Sequence, residues 1–106
     1  MRFFTTDLYG QTLLDPSAPE RRRLLESVIR PGPDVDYPDV YLSHAEGMTL
    51  VYREGGIMVC ESPEGSLDLL REVGLEEAGR IWDLLVNEDW LALRQLRWER
   101  VEVEED

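Results

Sequence analysis

Residues 39–62 read Asp39-Val40-Tyr41-Leu42-Ser43-His44-Ala45-Glu46-Gly47-Met48-Thr49-Leu50-Val51-Tyr52-Arg53-Glu54-Gly55-Gly56-Ile57-Met58-Val59-Cys60-Glu61-Ser62. β-branched, aromatic and aliphatic residues dominate three short runs, and such side chains suit a pleated, half-buried surface. Glu46-Gly47 and Gly55-Gly56 separate the runs, and glycine supplies the positive φ that tight hairpins require. The stretch therefore predicts three antiparallel strands at about 39–45, 48–54 and 57–62.

Reading both glycine pairs as two-residue turns sets His44 opposite Thr49, Leu42 opposite Val51, Val40 opposite Arg53 and Val51 opposite Cys60. Register decides which side chains share a face. One face would carry Val40, Leu42, His44, Thr49, Val51, Arg53, Met58, Cys60 and Ser62. The other would carry Tyr41, Ser43, Met48, Leu50, Tyr52, Ile57, Val59 and Glu61. Both faces hold apolar residues, whereas an antiparallel sheet with one wet side alternates apolar with polar. Either the chain's own helices roof both faces, or one face meets a second copy or another protein.

Upstream, Arg2 to Thr6 reads as a strand, and Tyr9 to Leu14 as a short second one. Ser17-Ala18-Pro19-Glu20 is a capping box with proline in the first turn. Leu24, Leu25, Val28 and Ile29 follow as one apolar stripe, and Pro31-Gly32-Pro33 ends a helix placed at about 17–30. Downstream, residues 67–73 fit a fourth strand or a short helix. After Gly74 the clearest helix sets Leu75, Ala78, Ile81, Trp82 and Leu85 on one side against Glu76, Glu77, Arg80 and Asp83. Asn87 is expected to cap another helix, whose buried side would draw on Trp90, Leu91, Leu93 and Leu96. Residues 98–106 suggest an edge strand or an ordered tail. The pattern predicts a single α+β domain over 1–106. It comprises an antiparallel sheet of three to five strands, with an N-terminal helix and one or two C-terminal helices packed on it.

The chain has 23 acidic and 11 basic residues, a formal net charge of −12, and every basic residue is Arg. Such a balance repels nucleic-acid phosphates and anionic membranes, so neither is an expected partner. It attracts a basic protein, with an on-rate that falls as salt rises. Without Lys there is no Schiff-base or lysine general-base chemistry. The single Cys60 excludes an internal disulfide. Met1-Arg2-Phe3-Phe4 runs into Thr5-Thr6-Asp7 without a signal-like apolar stretch, and no apolar run approaches membrane-spanning length, so a cytoplasmic location is expected.

Catalytic patterns are sparse. The predicted register places His44 and Cys60 on one face but in non-neighbouring strands, a poor nucleophile–base pair. One His and one Cys cannot build a structural zinc site. Asp34, Asp36 and Asp39 lack the glycine and distal glutamate of a calcium loop. No phosphate-cradling glycine loop is present. The expectation is a non-enzyme with no cofactor and no metal. Trp82 reads as core. Trp90 and Trp98, set among charged residues, read as candidate contacts.

Pro38-Asp39-Val40, Leu42, His44, Glu46-Gly47 and the later helix with Trp82 resemble, over about residues 13–98, short bacterial proteins of helix–hairpin–helix order. In size, acidity and layout the chain is also similar to immunity proteins of bacterial toxin–immunity systems, which bind a cognate toxin domain and block its site. That similarity implies a cytosolic inhibitor with a protein partner such as a toxin domain. The residues themselves point to a protein-binding module, with candidate contacts at Asp34, Asp36, Tyr37, Asp39, Glu46, Glu54, Trp90 and Trp98. The alternatives are a self-associating structural or regulatory protein, and behind it a small-ligand binder or enzyme using carboxylates or His44.

Overall fold

The computed structural model describes residues 2–35 and 38–101. Its elements, in order, are β1 (Phe3–Thr6), β2 (Thr12–Leu14), α1 (Ala18–Ile29), β3 (Val40–His44), β4 (Thr49–Arg53), β5 (Ile57–Glu61), β6 (Leu67–Leu70), α2 (Leu75–Val86), α3 (Trp90–Arg94) and β7 (Glu99–Arg100). The α+β class is as expected. The sheet is larger: seven strands in the order β2-β1-β3-β4-β5-β6-β7, each pair antiparallel. The extra strands come from both ends of the chain. β1 and β2 extend the sheet beyond β3, while residues 67–70 form a strand that β7 in turn pairs with.

The hairpin register differs from the expected one by one residue in each turn. Leu42 faces Leu50 and Tyr41 faces Val51, while Leu50 faces Cys60 and Val51 faces Val59. Both connections are three-residue loops. At the first, the His44 amide donates to the Met48 carbonyl at 2.8 Å and the Gly47 amide to the His44 carbonyl at 2.9 Å. Gly47 has a φ of 103°, as befits the left-handed residue that closes such a loop with a bulge. The slip moves β4 to the opposite face, because side chains alternate with period two. Leu50 and Tyr52 join Val40, Leu42, Met58 and Phe3 inside; Thr49, Val51 and Arg53 go outside.

All three helices lie on the inner face. α1 packs on β3 and β4, α2 on β3 and α1, and α3 on α2. Leu25, Val28, Ala78, Ile81, Trp82, Leu85 and Leu93 complete the core. Burying a side chain of this size stabilises the fold by about 1.5–3 kcal/mol before entropy is counted. Ser17 caps α1 as expected: its hydroxyl accepts from the Glu20 amide at 3.3 Å, and the Ser17 amide donates to the Glu20 carboxylate at 3.0 Å. Ile29 does not belong to the buried stripe; it is exposed. The cap of α3 is Asp89, accepting from the Ala92 amide at 3.2 Å, while Asn87 ends α2. Leu91, expected on the buried side of α3, points to solvent. Among the described residues no helix is long and apolar enough to cross a membrane.

Candidate functional site

α1 and α2 cover the β1–β3–β4 half of the inner face. Over β5, β6 and β7 the cover falls to α3 and the segment after it, and a five-residue helix is only about 7.5 Å long. The shortfall leaves a cleft of about 660 Å³. Met48, Cys60 and Asp68 belong to its strand side, and Trp90, Leu93, Leu96 and Trp98 to its helical wall. Glu46 and Glu64 sit on two neighbouring turns, 45–47 and 62–66, which abut where Pro63 meets Gly47. Arg94 and Arg100 supply the opposite charge. The Arg100 guanidinium is closed on Asp68 at 2.7 Å, whereas Glu46, Glu64 and Arg94 make no side-chain ion pair among the described residues.

The tryptophans are held, not loose. Trp98 Nε1 donates to the Leu93 carbonyl at 2.7 Å, fixing the indole against the end of α3. Trp90 meets His44 edge-to-face, with ring centroids 5.0 Å apart and planes at 85°. His44 is buried. Its Nδ1 accepts from the Glu46 amide at 3.0 Å, which assigns the ring proton to Nε2, 3.3 Å from the Glu88 carboxylate. Arg2 completes the group by donating to the same carboxylate oxygen at 2.6 Å. The hydrogen bond from His44, followed by the contribution of Arg2, holds Glu88 below the ordinary carboxylate range. With both ring nitrogens committed, His44 acts as a clip that positions Trp90 and the Glu46 turn.

Cys60 has no thiolate to offer near neutrality. Burial, and then the nearby Asp68 carboxylate, push its thiol up to about 11. The carboxyls whose proton affinity departs from the ordinary value, Asp15, Glu20, Glu76 and Glu88, are all shifted downward by hydrogen bonds to backbone amides or to Arg and His. A general acid near neutrality needs the reverse shift. Among the described residues no three His, Cys, Asp or Glu side chains are grouped to hold a metal ion.

Of the expected contact residues, Glu46, Trp90 and Trp98 come together at this cleft. Glu54 and Asp39 lie at the other end of the strands, where Asp39 pairs with Arg53 at 3.4 Å. Asp34 is exposed in a turn on the way to β3. Asp36 and Tyr37 lie outside the described residues. Sequence reading missed Glu64, Asp68 and Arg100, because their convergence depends on residues 67–70 being a strand rather than a helix.

The outer sheet face has no helix on it among the described residues. One row crosses all seven strands through Thr12, Thr6, Tyr41, Val51, Val59, Leu69 and Glu99. Val51, although only 7% exposed, stands apart from the helix-side core cluster, and Tyr41 is 38% exposed. Compared with known protein families, curated proteins and solved structures, the chain matches none of them.

Proposed function

We propose that this protein is a non-catalytic, cytosolic binding module that captures a basic protein partner at the cleft, in the manner of an immunity-type inhibitor. The observation that carries the reading is the convergence of Glu46, Glu64, Trp90 and Trp98 on one cleft of about 660 Å³. Arginine or lysine side chains suit that lining: indole faces attract cations, and carboxylates at the mouth complete the charge. Arg94, beside them, offers a donor to a main-chain carbonyl of the same inserted segment. The net charge of −12 would steer such a partner at low salt. His44, with both ring nitrogens engaged, and protonated Cys60 favour binding over chemistry.

The test is a quantitative capture from the native host with the whole chain as bait. One basic protein should be retained in stoichiometric amount and released as salt rises. The double charge reversal E46R/E64R should release it, while E77R, on the exposed side of α2, should not. Wild-type bait that retains nothing across the salt series, or a partner held equally by E46R/E64R, would overturn the reading.

A further inference from the structure

The outer sheet face lies across the sheet from the cleft and needs its own occupant. We infer that it is a twofold interface for a second copy of this chain, packed sheet on sheet. The inference does not depend on the cleft reading.

The arrangement follows from the register. At one end of the face, Arg53 on β4 stands opposite Ile57 on β5; at the other end, Thr49 stands opposite Glu61. Between them runs the uncharged row Tyr41, Val51, Val59 and Leu69. A twofold axis along that row stacks each of these residues on its own copy. It also carries the Arg53 end of one copy over the Thr49–Glu61 end of the other. Each Arg53, paired through Nε with Asp39 of its own chain at 3.4 Å, then turns its remaining guanidinium donors to the neighbouring Glu61 of its mate, twice by symmetry, as an isologous contact requires. An axis along the strands instead leaves like ends together and forgoes this pairing. Packed sheets lie about 10 Å apart with strands within roughly 30° of alignment, which such an axis permits.

Charge separates this occupant from a basic partner. From Tyr41 to Leu69 the row carries no acid to attract cations, and Glu99 at its β7 end is paired with Arg71 at 3.4 Å, so the strongly anionic character of the chain acts on the centre of this contact only as long-range repulsion between copies. Seven strands about 4.8 Å apart, averaging about four residues of about 3.4 Å each, give a footprint of roughly 450 Å² per copy. The total, about 900 Å², lies below the roughly 1,200 Å² of stable specific interfaces, in the range of weak, transient ones, so the dimer should dissociate in the high-micromolar to millimolar range.

Sedimentation equilibrium of the intact chain tests the proposal across concentration and salt. A monomer–dimer equilibrium is expected that tightens as NaCl rises, because screening relieves repulsion between like-charged copies; capture of a basic partner has the opposite salt dependence. V59D and Y41K should leave a folded monomer by circular dichroism and abolish the dimer. R53E should weaken association by about tenfold, and the swap R53E/E61R should recover most of the loss. A strict monomer at about 1 mM in ~0.5 M NaCl, where the Debye length is about 4 Å, would overturn the proposal. A dimer indifferent to V59D and Y41K, or a swap weaker than R53E alone, would do the same. If V59D instead released the host partner that E46R/E64R should release, the face would belong to that partner and not to a second copy.

Discussion

A thiol that cannot ionise behaves as a packing group, and Cys60 makes that measurable. Its proton affinity is raised to about 11 by burial and by Asp68, some two units above an ordinary thiol, so the thiolate fraction at pH 8 falls roughly 100-fold. The more basic thiolate is also the better nucleophile and recovers about tenfold of that. Native protein should thus react with a disulfide reagent about tenfold more slowly than the same chain in denaturant; equal rates would mean that the thiol is neither buried nor perturbed. Tyr52 makes a second residue-scale case. Its hydroxyl donates to the Val73 carbonyl at 2.8 Å inside the core, tying the segment before α2 to β4. Tyr52→Phe leaves that carbonyl without its donor and should lower unfolding stability by about 1–2 kcal/mol in urea titration. A loss below ~0.3 kcal/mol would show the bond to be dispensable.

Elements were legible where one local signal decides them. Ser17, Pro19 and Glu20 specified the start of α1, and the stripe around Ile81, Trp82 and Leu85 specified α2, because capping and helical period act over three or four neighbours. Turn length was not legible in the same way. A Glu-Gly or Gly-Gly pair serves a two-residue hairpin and a three-residue bulged one alike, and choosing between them needs the partner strand; one residue of error was enough to turn β4 over. Gly56 shows what the longer turn demands. Its φ is +74°, and a Cβ there would stand 3.0 Å from the Val73 carbonyl oxygen, which is backbone and cannot swing away. Gly56→Ala should cost about 1–3 kcal/mol. Gly55→Ala, at φ +87° with open space around it, should cost less than Gly56→Ala; the reverse order in thermal unfolding would contradict the packing of residues 71–74 on this turn. At the cleft, the polar and aromatic types of Glu46, Trp90 and Trp98 marked them as candidates. Their assembly was not legible, since it depends on β6, on the brevity of α3 and on the clip at His44, each settled by contacts distant in sequence.

Across the whole molecule, charge works in two opposed ways that pH and salt can separate. Asp15, Glu20, Glu76 and Glu88 hold their carboxyls below the ordinary 3.8 for Asp and 4.5 for Glu. Folded chains then bind fewer protons than unfolded ones over that window. Stability from these groups is therefore complete above the ordinary values and is lost as pH falls through 4.5 and below. The remaining excess of acids acts in the other direction. A charge of −12 on a body with a radius of gyration of 13.3 Å places like charges within a Debye length or two of one another at low salt, which favours the expanded chain. Raising NaCl from about 20 to 300 mM at pH 7 should thus increase Tm by a few degrees, measured in dilute solution where association is negligible. At pH 3.5 the four favourable carboxylate interactions are partly lost, and at about 300 mM NaCl, where repulsion is already screened at pH 7, Tm should lie below its pH 7 value. A Tm that fell with added salt at pH 7 would mean that the attractive pairs, Arg21 with Asp83 and Arg100 with Asp68 among them, outweigh the repulsion. The low-salt penalty on self-association would stand all the same, because it follows the net charge of −12 on each copy and not the balance of internal pairs.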